Sequence, residues 1–332
     1  MTDYNVGVGS LSQQRREEFV CMMKSLFPEL PEELRIRMLT PPTGKVRMVL
    51  DTDTFNEIDD QFAVVYSLLA SEKLEVQAFY AAPFFNELSN GPADGMEKSY
   101  QELLRILSRM EVAPEGKVFR GSDRYLPAAQ EAVDSPAARD LIERARKASS
   151  ENPLYVVAIG AITNVASALL LAPEIIDRVV VIWLGGHALY WPHTKEFNLA
   201  QDLHASRVVL DSGVPLVLLP CAGVVDHLIT TLPEVNTYVR GKGEIGDFLA
   251  MRYEGCAENH FAYSRVIWDL STVAWLCCPD GVNTELQHSP ILTDQVTWSQ
   301  DASRHLIRVA SSINRDLVFG DLFHRLEQYS KS

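Results

Sequence analysis

The chain has 332 residues, 47% of them hydrophobic and 22% charged, a balance that suits a large buried core and one sizeable α/β domain. Its formal net charge is -14 and no run of Lys or Arg stands out, which argues against nucleic acid as a partner. No apolar stretch approaches the roughly 18 residues of a membrane span, so no membrane association is expected.

The opening, MTDYNVGVGSLSQQRREEF, lacks the basic-then-apolar layout of a signal peptide, and a cytoplasmic protein is expected. Five cysteines, Cys21, Cys221, Cys256, Cys277 and Cys278, contain no C-x-x-C pair and are odd in number. Buried, reduced thiols are therefore expected instead of a disulfide framework or a zinc site.

In chain order, Phe19, Met22, Met23, Leu26 and Phe27 fall at helical spacing ahead of Pro41-Pro42-Thr43-Gly44. Residues 1–44 are read as a helical N-terminal extension, packed on the α/β domain of residues 45–332 or on a second subunit of a homo-oligomer, a dimer or tetramer. From Lys45 onward short β-rich runs alternate with helical runs. The pattern predicts strands at 46–50, 74–80, 154–158, 179–184 and 215–219, and helices at 61–70, 97–109, 137–149, 164–171, 204–212 and 266–276. A further strand is expected at 301–309 and an amphipathic end near 319–326. This alternation implies a mostly parallel central sheet with helices on both faces, which binds ligands beyond the carboxyl ends of its strands.

The polar residues gather in the loops at those ends, above all after the first strand. In VRMVLDTDTFNEIDDQFA an apolar run leads into Asp51 and Asp53, then Asn56, Glu57, Asp59 and Asp60 at the start of a helix. Aspartates at this density repel one another in a water-poor pocket unless a cation or a shared proton offsets the charge. Singly, Asp59 is also a good N-cap and Asp60 a favourable first-turn charge.

Taken alone, VLDTDT resembles the start of a haloacid-dehalogenase-like phosphatase, in which Asp51 would be the nucleophile. The longer pattern D-T-D-x5-D-D-Q-F-A resembles the nucleoside hydrolase family of the inosine-uridine-preferring type, whose hallmark is a D-x-D-x3-D-D corner. Further stretches follow in the family's order: Gly160-Ala161-Ile162-Thr163-Asn164, Leu184-Gly185-Gly186, Glu196-Phe197-Asn198 with Asp202, Ser212-Gly213-Val214-Pro215, and Trp268-Asp269 where the family has H-D. The resemblance runs from about Val46 to Ala274.

It implies a calcium-dependent hydrolase of ribonucleosides. Ca²⁺ would be held by Asp53, Asp60, the backbone carbonyl of Thr163 and Asp269, with Asp53 as general base toward the attacking water. Asp59, Glu196 and Asn198 would hold the ribose hydroxyls, Asn86 sits where the family often has an asparagine near the sugar, and Asp51 would support the corner from behind.

The chain also departs from the family. Its corner has five residues between Asp53 and Asp59 instead of three, which adds Asn56 and Glu57; Glu57 either reaches a sugar hydroxyl or caps the loop, the loop role being favoured. Trp268 replaces a histidine proposed to protonate the leaving base, and tryptophan offers only an N–H donor. It can stack on a purine, which brings the chain closer to members preferring inosine, adenosine and guanosine. Tyr190, Trp191 and His193 are candidates to line the base or 5′ side. Histidines 187, 193, 204 and 260 lack metal-ligand spacing and are read as solvated or core residues. A nucleoside- or sugar-binding protein without catalysis is the alternative from another functional class.

Overall fold

The structure, a computed structural model, describes residues 26–331, so Cys21 and the helical positions Phe19, Met22 and Met23 lie outside the described residues. Its centre is an eight-stranded sheet. Six strands come early: β1 (Val46–Thr52), β2 (Leu74–Ala81), β3 (Val118–Arg120), β4 (Leu154–Ala158), β5 (Val179–Leu184) and β6 (Leu216–Leu219). The last two, β7 (Val282–His288) and β8 (Leu306–Ile313), come late. The order across the sheet is β3-β2-β1-β4-β5-β6-β8-β7, parallel throughout except for the antiparallel edge pair β8–β7.

Strands β4 and β5 are buried along their whole length because helices cover both faces. Along them the side chains alternate between two cores. Tyr155, Val157, Val180 and Ile182 pack with helices α2 (Ile58–Leu69), α3 (Pro92–Arg109), α9 (Gly243–Glu254), α10 (Leu270–Cys277) and α11 (Arg315–Tyr329). Val156, Ala158, Val181 and Trp183 pack with α4 (Pro136–Arg146), α5 (Thr163–Leu171) and α7 (Leu203–Asp211) on the other face. Helix α1 (Glu32–Met38) packs near the end of the sheet formed by the later strands: Arg35 donates to the Gly213 carbonyl at 2.6 Å, and Arg308 of β8 donates to the Leu39 carbonyl at 2.5 Å. The four described cysteines are free, with Cys256 and Cys278 only half-buried. Among the described residues no helix is long and apolar enough to cross a membrane.

Strands β1, β2, β4, β5 and β6 agree with the sequence expectation to within two residues at either end. The expected helix at 266–276 is shorter, because Arg265–Val266 pairs antiparallel with Ile229–Thr230 and α10 starts only at Leu270. Trp268 and Asp269 are therefore carried on a turn at the mouth of that helix. The expected strand at 301–309 is displaced to Leu306–Ile313. Helices α6 (Phe197–Gln201), α8 (Leu232–Tyr238) and α9 and strands β3 and β7 were not legible in the pattern.

Candidate active site

Register places Asp51 of β1 opposite Tyr80 of β2 and Ala158 of β4, so the acidic loop leaves the sheet at its carboxyl edge, in the middle. Helix α2 begins at Ile58, three residues earlier than expected, and puts Asp59 and Asp60 in its first turn, both buried. Asp53, Asp59, Asp60 and Asp269 line one cavity of about 260 Å³, together with Asn56, Glu57, Glu196, Asn198 and Trp268. Carboxylate oxygens of Asp59, Asp60 and Asp269 lie within 4.8 Å of one another. Asp53 stands beside this group as an electrostatic neighbour of Asp60, whose Oδ1 accepts from Thr52 Oγ1 at 2.5 Å. Gly160 lets the loop after β4 close on the corner, since a Cβ there would stand 3.0 Å from Asp53 Oδ1.

Burial pushes the carboxyls of Asp53, Asp60 and Asp269 well above the usual carboxylate range, and their acidic neighbours push the same way. Asp59 is raised to about 7, first by burial and next by Glu57, with Arg265 acting against them. Asp53 Oδ2 and Asp59 Oδ1 are buried without a hydrogen-bond partner among the described residues. Carboxylates in that state call for protons or a cation, and an all-oxygen cluster of this kind fits a hard divalent ion.

Asp51 does not line the cavity. Its Oδ1 accepts from Asn164 Nδ2 at 2.8 Å, and burial raises it to about 7. Asn164 in turn accepts from the Ser122 amide at 2.7 Å, so Asp51 ties the end of β1 to the start of α5 and to the loop after β3. Thr163 opens α5, fully buried, with its hydroxyl donating to Asp202 Oδ2 at 2.8 Å.

Across the cavity, Glu196 occupies the N-cap position of α6. Its carboxylate accepts from the amides of Gly186 (2.8 Å), Asn198 (2.8 Å) and Leu199 (3.0 Å), and burial raises it to about 7 against those three bonds. Asn198 Nδ2 donates to the Leu184 carbonyl at 3.2 Å. The Trp268 amide donates to Asp59 Oδ2 at 3.2 Å, tying the late turn to the early corner. Asn86 stands one step behind the lining: its Nδ2 donates to Asn56 Oδ1 at 2.6 Å. The two additional corner residues are thus both tethered, Asn56 by Asn86 and Glu57 by an ion pair to Arg265 at 3.0 Å. Glu57 caps nothing with its side chain.

Of the loop after β5, Tyr190, Trp191 and His193 are not among the lining residues; Tyr190 is 76% exposed and donates to the Gly223 carbonyl. His187 and Lys195 line the cavity instead, with Phe197 and Cys221. Nothing in their spacing marked them; His187 and Cys221 are held there by bonds between the loops after β5 and β6.

The sequence profile of the inosine-uridine preferring nucleoside hydrolases matches residues 48–320. The pyrimidine-specific ribonucleoside hydrolase RihA of Klebsiella pneumoniae (strain 342) is 26% identical over 322 aligned residues, covering 85% of this chain and 99% of that protein. Among solved structures, a purine-preferring ribonucleoside hydrolase from Gardnerella vaginalis superposes with a TM-score of 0.67 at 21% identity, over 86% of this chain and 99% of its own. An inosine-uridine preferring nucleoside hydrolase from Bacillus anthracis gives 0.63 at 17% identity, over 86% and 100%. Both structures share the fold. With the profile spanning most of the chain and the acidic corner at the sheet's carboxyl edge, the chain belongs to the inosine-uridine preferring nucleoside hydrolase family, and so to the N-glycosyl hydrolases.

Proposed function

We propose that the protein hydrolyses the N-glycosidic bond of ribonucleosides, purine nucleosides favoured, in a calcium-dependent reaction that yields ribose and the free base. The observation that carries this is the cluster of Asp59, Asp60 and Asp269 within 4.8 Å, with unpartnered oxygens on Asp53 and Asp59, in the same cavity as Glu196, Asn198 and Trp268. Asp53, Asp60, the Thr163 carbonyl and Asp269 would hold Ca²⁺, whose positive charge offsets the carboxylates and makes a nearby water easier to deprotonate.

Asp53 takes the proton of the attacking water as its oxygen bonds to the anomeric carbon. The C–N bond breaks with its electron pair leaving on the base, through an oxocarbenium-like transition state that the surrounding carboxylates favour. Asp59, Glu196 and Asn198 hold the ribose hydroxyls. Glu196 already accepts three amide bonds, so its share is a remaining lone pair on a carboxylate fixed in place. Trp268 offers a stacking face for the base. The named relatives point both ways on the base, one being pyrimidine-specific and one purine-preferring, and Trp268 is what favours purines here. Asp51 is buried behind the cavity, which gives no support to a phosphatase nucleophile.

The test is a reducing-sugar assay on adenosine, guanosine, inosine, uridine and cytidine with added calcium. Ribose release fastest from the purine nucleosides is expected. Binding of nucleosides with no ribose release from any of them would leave a binding protein and overturn the enzymatic reading.

A further inference from the structure

Opposite the acidic corner, one side chain of the cavity lining is held in a single tautomer. His187 follows Gly186, which adopts φ +68° and leaves no room for a Cβ, since one would meet Thr194 Oγ1 at 2.4 Å. The His187 amide donates to that same Thr194 hydroxyl at 3.0 Å, and its carbonyl accepts from Trp298 Nε1 at 2.9 Å. On the ring, Nδ1 accepts from the backbone amide of Ala222 at 3.2 Å. Ala222 belongs to the turn after β6, which is stitched to the turn after β5 by two further bonds, Cys221 N to Gly186 O at 2.8 Å and Ala188 N to Ala222 O at 3.0 Å. The imidazole is therefore fixed by backbone, at the carboxyl ends of two adjacent central strands.

An Nδ1 that accepts from an amide carries no proton, so the neutral ring bears its hydrogen on Nε2. With Nδ1 taken by the Ala222 amide, Nε2–H is the donor the neutral ring has, and the ring lines the cavity. Burial and His193, 5.3 Å away centre to centre, lower the pKa of the ring; the carbonyls of Gly186 and Lys195 and the charge of Asp226 act the other way, more weakly. With Nδ1 accepting from an amide, the ring acts as a hydrogen-bond donor through Nε2. Trp268, on the turn before α10, has only an N–H donor and gives the departing base no proton.

We propose that His187, through Nε2–H, donates a hydrogen bond to the leaving nucleobase and stabilises the negative charge it gains as the C–N bond breaks. This rests on the hydrolase reading above. The electron pair of the C–N bond goes to the base nitrogen, the water's proton goes to Asp53, and the base takes its own proton from solvent after departure. No proton leaves His187, so no imidazolate forms. A neutral donor fixed in the cavity wall needs no rearrangement as the reaction proceeds.

The experiment compares two substrates, inosine and 4-nitrophenyl β-D-ribofuranoside, whose nitrophenolate leaves without assistance. Wild type is set beside His187→Ala and His187→Gln, whose amide can still donate near the Nε2 position, with circular dichroism as the check on folding. In His187→Ala, kcat/KM for inosine should fall about 100-fold or more, the nitrophenyl riboside should stay within about threefold, and His187→Gln should recover part of the inosine rate. Equal losses on both substrates, or an unchanged inosine rate, would overturn the role of His187. Wild-type protein that releases ribose from neither substrate would instead sink the hydrolase reading, and the proposal with it.

Discussion

At the β1–α2 corner, among the described residues, Asp53 Oδ2 and Asp59 Oδ1 accept from nothing. Across the cavity the loop after β5 holds itself by its own bonds: Glu196 takes three amides, Thr194 binds the His187 amide, and Trp298 binds the His187 carbonyl. The corner is held by tertiary structure in a state that its own charges oppose, whereas the opposite wall satisfies itself and presents a few fixed groups. Such an imbalance belongs to a site completed by a ligand, with charge chemistry on one side and positioning on the other.

The largest effect that would break this division is at Asp53. Asp53→Asn should lower kcat on a purine nucleoside at least about a thousandfold, with an unchanged circular-dichroism spectrum because one buried like charge is relieved and no void is made. A collapsed spectrum would mean that the corner is structural. Next comes Asp269→Asn, which should weaken calcium binding by at least about 100-fold in a calorimetric titration, more than is usual for residues that only support a ligand. An unchanged affinity would remove Asp269 from the ion's ligands.

Stability against pH sharpens the contrast in a different way. Asp51 is raised to about 7 in the folded chain against an ordinary 3.8, so the folded state prefers it protonated. The stability that goes with the proton is complete below about pH 4 and is lost as the pH rises through about 7, amounting to up to about 4 kcal/mol by pH 8. Calcium-free protein should therefore melt at a lower temperature at pH 8 than at pH 5, and Asp51→Asn should flatten that slope. A steeper slope in the variant would contradict the sign. The smallest effect is expected at Asn86, whose bond holds Asn56 at the cavity. Asn86→Ala should raise KM about fivefold, as for the loss of about 1 kcal/mol, with kcat within about twofold.

The two walls were also unequally legible in the sequence. The corner is contiguous, so Asp51, Asp53, Asp59 and Asp60 announce it directly, and the apolar runs of β1, β4 and β5 place it at a strand end. Trp268 and Asp269 were found through the order of motifs, although the helix expected at 266–276 overlapped the strand residue Val266, whose pairing with Ile229 sets their turn. His187 and Lys195 were missed, and Tyr190, Trp191 and His193 chosen in their place, because which side of a loop faces inward depends on bonds such as Ala222 N to His187 Nδ1 between segments 35 residues apart. The edge strand β7, with the polar sequence VNTELQH, offered no apolar run to read. The partners of the additional corner residues, Asn86 for Asn56 and Arg265 for Glu57, lie 30 and 208 residues away and leave no local signal.

The central claim, that the acidic corner works only with a bound cation, is tested most directly by ribose release from inosine before and after treatment with a calcium chelator, followed by add-back. Release should fall to background on chelation and return when calcium is restored in excess. Undiminished release by thoroughly chelated protein, or no recovery with calcium or any other divalent ion while the fold persists, would contradict it.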